Sequence, residues 1–142
     1  LRHCRAYPGN QYVFQTKNPL SAFFWRATLP GKPLVGTTIE TNRLIPQISN
    51  APAPPTRIYG IAELKRVGFE IFVTIEPIID FDLEILFAWM NALKPSFVNI
   101  GADSKRCGLP EPSPDKVREL ISRLQEAGIE IKKKTNLNRL GV

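Results

Sequence analysis

The residues able to do chemistry in this sequence come in pairs, two positions apart. Gln15 and Lys17, Thr38 and Glu40, Thr74 and Glu76, and Lys132 and Lys134 each stand at or near the end of a short β-type run. Asn99 and Asp103 join them in phase if their run continues into the following turn. Residues two apart in a strand point to one side. Each pair therefore lays polar groups on one face at a strand's carboxyl end, where parallel sheets and barrels bind ligands. Carboxylates, amides and ammonium groups gathered there suit a polar or charged ligand. Glu40 and Glu76 occupy equivalent places. Glu76 ends an apolar run and precedes Pro77, so its carboxylate needs a partner. Lys17, Arg43 and Lys134 are the candidates. Gly101, Ala102, Asp103 and Ser104 make a small-residue turn that lets a ligand approach the backbone.

Several chemistries are excluded. There is no GxGxxG after the first run, no Walker loop, no HExxH and no GxSxG. The single histidine, His3, cannot serve a Ser-His-Asp triad or build a zinc site, so no metal site is expected. Cys4 and Cys107 are too few and too far apart for a disulfide framework or a cluster motif. They read as free thiols of a reducing, cytoplasmic compartment.

Five segments must position these groups: 11–17 (QYVFQTK), 34–40 (LVGTTIE), 69–76 (FEIFVTIE), 97–102 (FVNIGA) and 129–134 (IEIKKK). The first four are rich in β-branched and aromatic residues. Helical spacing falls between them. Residues 57–67 carry Ile58, Ile61, Leu64 and Val67. Residues 83–93 carry Leu83, Leu86, Phe87, Met90 and Leu93, with Asp80 or Asp82 as the expected cap. Residues 114–127 carry Val117, Leu120, Ile121 and Leu124 between Ser113 and Gly128. Residues 19–27 read as a short helix capped by Asn18. AELKRVGFEIFV and SRLQEAGIEIKK repeat one design, helix then glycine then strand. Strands alternating with helices predict a parallel sheet. The expected fold is α/β: a partial (β/α) barrel of about five parallel strands with flanking helices, residues 1–142 forming a single domain. The proline-rich stretch 49–56 reads as a stiff loop.

The chain carries a net charge of +6 and a pI near 9.6, which favours anionic partners. Lys105, Arg106, Lys132, Lys133 and Arg139 form the candidate nucleic-acid patch. No apolar run approaches ~18 residues, so no membrane span is expected.

The ordered set QTKNP at 15–19, GTTIETN at 36–42, IEP at 75–77, IGADS at 100–104 and AGI leading to Lys134 resembles the C-terminal half of radical-SAM-type barrels. It is most similar to the phage-associated Gp37/Gp68 family, related to spore photoproduct lyase. The resemblance runs from about Tyr12 onward. It implies strands four to eight of a barrel, with Lys17 and Glu40 in the mouth near the cofactor. It places Glu76, Asp103, Ser104 and Lys134 in the pocket, and Asn42, Asn99 and Gly101 complete the implied cofactor- and substrate-binding set. It also implies reductive cleavage of S-adenosylmethionine by a [4Fe–4S] cluster. The CxxxCxxC loop that holds the cluster is missing here, and two cysteines cannot replace it. The cluster and S-adenosylmethionine are therefore expected only of a longer parent protein. A chain opening on Leu1, with Met90 as its only methionine, fits the C-terminal portion of such a barrel, inactive alone. Its expected partners are the missing N-terminal half or a second copy. The alternative is a non-catalytic basic α/β module binding nucleic acid or protein.

Overall fold

The computed structural model describes residues 1–31 and 33–142. Its five strands are β1 (Val13–Gln15), β2 (Leu34–Thr38), β3 (Ile71–Ile75), β4 (Phe97–Ile100) and β5 (Glu130–Lys133). All neighbours pair in parallel, in the order β1-β2-β3-β4-β5. Five helices alternate with them: α1 (Arg2–Ala6), α2 (Pro19–Phe24), α3 (Pro54–Arg66), α4 (Leu83–Leu93) and α5 (Pro114–Glu126). Two 3-10 turns, Arg26–Thr28 and Thr135–Leu140, complete the chain. Crossovers between parallel strands are right-handed. When strand order follows chain order, that handedness puts every crossover helix on the same face. A doubly wound sheet would reverse direction; this one does not, so it is a barrel segment, as expected from the sequence.

The two faces differ in chemistry. Val35, Ile39, Ile71, Val73, Ile75, Val98 and Ile100 are buried in one cluster with Ile61 and Leu64 of α3, Leu86 and Met90 of α4, and Leu120 and Leu124 of α5. Each such side chain contributes about 1.5–3 kcal/mol when fully buried. The opposite face is polar. Thr38, Thr74, Asn99 and Lys132 are register partners across β2 to β5. Asn99 donates to Thr74 Oγ1 at 3.2 Å, and Gln15 donates to Thr38 Oγ1 at 3.0 Å. Nearer the amino ends of the strands, Phe72 stacks on Phe97 at 5.1 Å between centroids. Lys132 Nζ sits 3.6 Å above the Phe97 ring.

The local signals acted mostly as expected. Asn18 accepts from Ser21 N and Ser113 from Lys116 N, capping α2 and α5. Gly68 and Gly128, just past α3 and α5, have φ of +93° and +77°. Three differences stand out. α3 begins at Pro54, inside the stretch read as loop, because Pro54 and Pro55 fit the first turn, where no N–H is needed. Asp82 occupies the N-cap position of α4 but makes no side-chain cap bond; its carboxylate pairs with Arg43 instead. The helix at 19–27 is split, α2 giving way to a 3-10 turn at Arg26.

Candidate functional site

The polar strand ends open onto one cavity of about 700 Å³ at the carboxyl edge of the sheet. Lys17, Glu76, Asn99, Asp103, Ser104 and Lys134 all line it, joined by Gln15, Thr74 and Lys105. The strand ladder continues into this rim: Ile78 N donates to Gly101 O at 2.8 Å and Lys134 N to Ile100 O at 2.8 Å. Ile48 of the β2–α3 loop and Leu109 of the β4–α5 loop add an apolar side.

The expected residues take different roles, and Glu40, Asn42 and Gly101 are not among those lining the cavity. Glu40 is 3% exposed and both its oxygens are occupied. Oε1 accepts from Lys17 Nζ, and Oε2 accepts from Arg57 at 2.6 Å. Arg57, only 1% exposed, also donates to Thr38 O at 3.0 Å and Pro52 O at 2.5 Å. Glu40 therefore holds Lys17 at the mouth and locks the start of α3 to the end of β2. Sequence reasoning missed Arg57. The signal was an arginine on the buried stripe of α3, one turn before Ile61.

Glu76 takes none of the three cations expected as partners. Its Oε1 accepts from Asn136 Nδ2 at 2.9 Å. Asn136 also donates to Ala102 O at 2.9 Å and accepts from Ala102 N at 3.2 Å. This clamp ties the final 3-10 turn to the ends of β3 and β4. Gly101 leaves room for this clamp: a Cβ at that position would lie 2.7 Å from Glu76 Oε1 and 2.9 Å from Asn136 Oδ1 and would push those side-chain ends aside. The space above Gly101 is filled by the chain itself. Asn136 carried no sequence signal, because it lies beyond the last periodic element. Asp103, 5% exposed, accepts from the backbone N–H groups of Lys105 and Cys107 and so shapes its own turn. Asn42 sits outside the cavity; its side chain bridges Asp82 N and Asp82 O at 2.9 and 3.2 Å.

Arg43 is engaged elsewhere. It pairs with Asp80 and with Asp82, the latter at 2.7 Å, while Lys116 reaches Asp80 at 2.8 Å. This belt joins the β2–α3 loop to the starts of α4 and α5. Lys116 first, then Arg43, hold the Asp80 carboxyl below its ordinary value of 3.8. A carboxyl depressed by folding adds stability above its unfolded pKa, and that stability is lost as pH falls through the folded value. A Lys116→Met variant is expected to lose up to ~1 kcal/mol at neutral pH. In urea melts the deficit should shrink as the pH is taken below ~4, where unfolded carboxyls protonate. A constant gap across that range would remove Asp80 from the account.

The basic residues are dispersed. Arg139 pairs with Glu111 and donates to Asp103 O at 3.1 Å. Lys132 lies over Phe97, while Lys105, Arg106 and Lys133 are exposed. The two thiols lie at opposite ends of the sheet. Cys4 is in α1, whose Arg5 borders the approaches to β1 and β2, whereas Cys107 lines the carboxyl-end cavity. Among the described residues no group of three or more His, Cys, Asp or Glu could hold a metal ion. The donor set of this chain does not fit an iron–sulfur cluster. No helix among the described residues is long and apolar enough to cross a membrane.

No family model matches this sequence, and no curated protein matches it. In shape the chain is similar to a radical SAM methyltransferase from Sphaerobacter thermophilus, with a TM-score of 0.62 at 15% identity. The likeness covers 86% of this chain and 39% of that protein. At that identity it is a likeness of fold: the chain has a radical-SAM-like α/β architecture that spans about two fifths of the methyltransferase.

Proposed function

We propose that this chain is the pocket-bearing C-terminal portion of a radical-SAM-type barrel enzyme, of the phage-associated kind related to spore photoproduct lyase. It contributes substrate and cofactor contacts and is inactive without a cysteine-bearing N-terminal half. The carrying observation is the polar cavity onto which the carboxyl ends of a sequentially ordered parallel sheet open. Its volume lies within the range of small-molecule sites. Glu76 Oε2, Asn99 Oδ1 and Gln15 Oε1 are acceptors suited to the ammonium and ribose hydroxyls of S-adenosylmethionine. A cytoplasmic setting suits two free thiols.

A second reading rests on the sheet's edges. β1 and β5 each pair on one side only, and open edges invite another chain. A second copy of this chain could cover them.

Anaerobic expression of the natural gene product, with intact mass, iron and sulfide measured together, separates the readings. The expected result is a longer chain carrying about four irons. A product beginning near Leu1 and free of iron would overturn the enzymatic reading, and a doubled particle mass would then favour the homodimer.

A further inference from the structure

The cavity's charged groups are not equally available. Lys17 is held by Glu40, and Asp103 is satisfied by two backbone N–H groups. Glu76 accepts from Asn136 through Oε1 and keeps Oε2 for the cofactor side of the pocket. The ammonium groups of Lys105 and Lys134 take part in none of the ion pairs among the described residues. Both lysines line the cavity, and so does the exposed Ser104. They arise from neighbouring strand ends. Lys134 N is bonded to Ile100 O, the last residue of β4, and the turn carrying Ser104 and Lys105 leaves β4 just after that point. Two free ammonium groups and a hydroxyl therefore face one volume, beside the apolar Ile48 and Leu109.

We propose that Lys105, Lys134 and Ser104 form a phosphate subsite, and that the substrate of this pocket is a phosphate ester whose body lies towards Ile48 and Leu109. A phosphate monoester carries about −1.5 to −2 charges at neutral pH, which matches two ammonium groups where a carboxylate would need one. The inference rests on the reading of this cavity as a substrate pocket, and it extends that reading to a ligand class. The same oxyanion chemistry is offered by a free nucleotide and by a nucleic-acid backbone.

Titration calorimetry of the purified protein with uridine 5′-monophosphate, uridine and inorganic phosphate tests it. The nucleotide should bind at least about tenfold more tightly than uridine, and inorganic phosphate should compete. Lys105→Gln and Lys134→Gln should each weaken the nucleotide about tenfold or more, with melting temperatures unchanged, since both side chains are exposed. Lys133→Gln, outside the cavity, should leave binding intact. Equal affinity for uridine and its monophosphate, or indifference to both lysines, would overturn the proposal. So would binding confined to a single-stranded oligonucleotide and dependent on Arg106 and Lys133, which would mark a backbone-tracking surface instead. An iron-bearing product that ignores the nucleotide would sink the phosphate subsite alone. An iron-free product that binds it would sink the radical-SAM reading alone.

Discussion

Replacing Glu40 by glutamine should lower the unfolding free energy by about 3–5 kcal/mol, the range for breaking a buried ion pair from one side. Arg57 is 1% exposed and its charge is countered by Glu40 Oε2 at 2.6 Å. The carbonyls of Thr38 and Pro52 give that guanidinium hydrogen bonds but no opposite charge. Glutamine would keep the shape and remove the counter-charge, leaving a cation out of water. Arg57→Met should cost a similar amount, because the Thr38 and Pro52 carbonyls lose their donor. The double variant should be less destabilised than the two single losses summed, with a coupling of roughly 2 kcal/mol. Lys17→Met should cost about 1 kcal/mol or less, because the Lys17 side chain is 47% exposed and the pair is screened. Denaturant melts of the four proteins decide it. If Glu40→Gln leaves stability within ~0.5 kcal/mol of the parent, as a solvated surface change would, Glu40 is a ligand-facing carboxylate and the buried pair is not structural.

That result bears on what could be read from the sequence. β-branched and aromatic runs found the strands, and period-two alternation found the face their polar ends share, because both are local properties of one segment. The register Thr38–Thr74–Asn99–Lys132 follows once the strands lie in chain order. What the alternation could not give is which oxygen is free. Glu40 and Glu76 look equivalent in the sequence, yet one is enclosed by two cations and the other is held by an amide. Those partners come from Arg57 on α3 and Asn136 in the last turn, and each pairing depends on packing across long sequence separations. Arg43 shows the same effect in reverse. It sits close after Glu40 in sequence, yet its guanidinium is taken by Asp80 and Asp82 at the start of α4.

Substituting Gly60 tests the packing that carries the mouth's first strand. Gly60 is buried on α3 where α2 crosses it, and a Cβ there would lie 2.9 Å from Leu20 Cα and 3.0 Å from Leu20 Cβ. The obstacle includes α2 backbone, which no rotamer change can move. Two effects oppose each other in Gly60→Ala. Helix propensity favours alanine by about 0.8–1.0 kcal/mol. Overpacking costs about 1–3 kcal/mol because α2 must shift off α3. Contact with backbone puts the cost at the upper end, so alanine should destabilise by ~1–2 kcal/mol and valine by about 3 kcal/mol. α2 begins four residues after β1, a three-residue edge strand, and moving it displaces the segment that carries Gln15 and Lys17. Amide exchange at Val13 to Gln15 should therefore quicken more than at β3, which is paired with a strand on either side. A Gly60→Ala variant more stable than the parent would show that propensity wins and that α2 has room to yield. Lys17 would then be positioned by its bond to Glu40, with no contribution from helix packing.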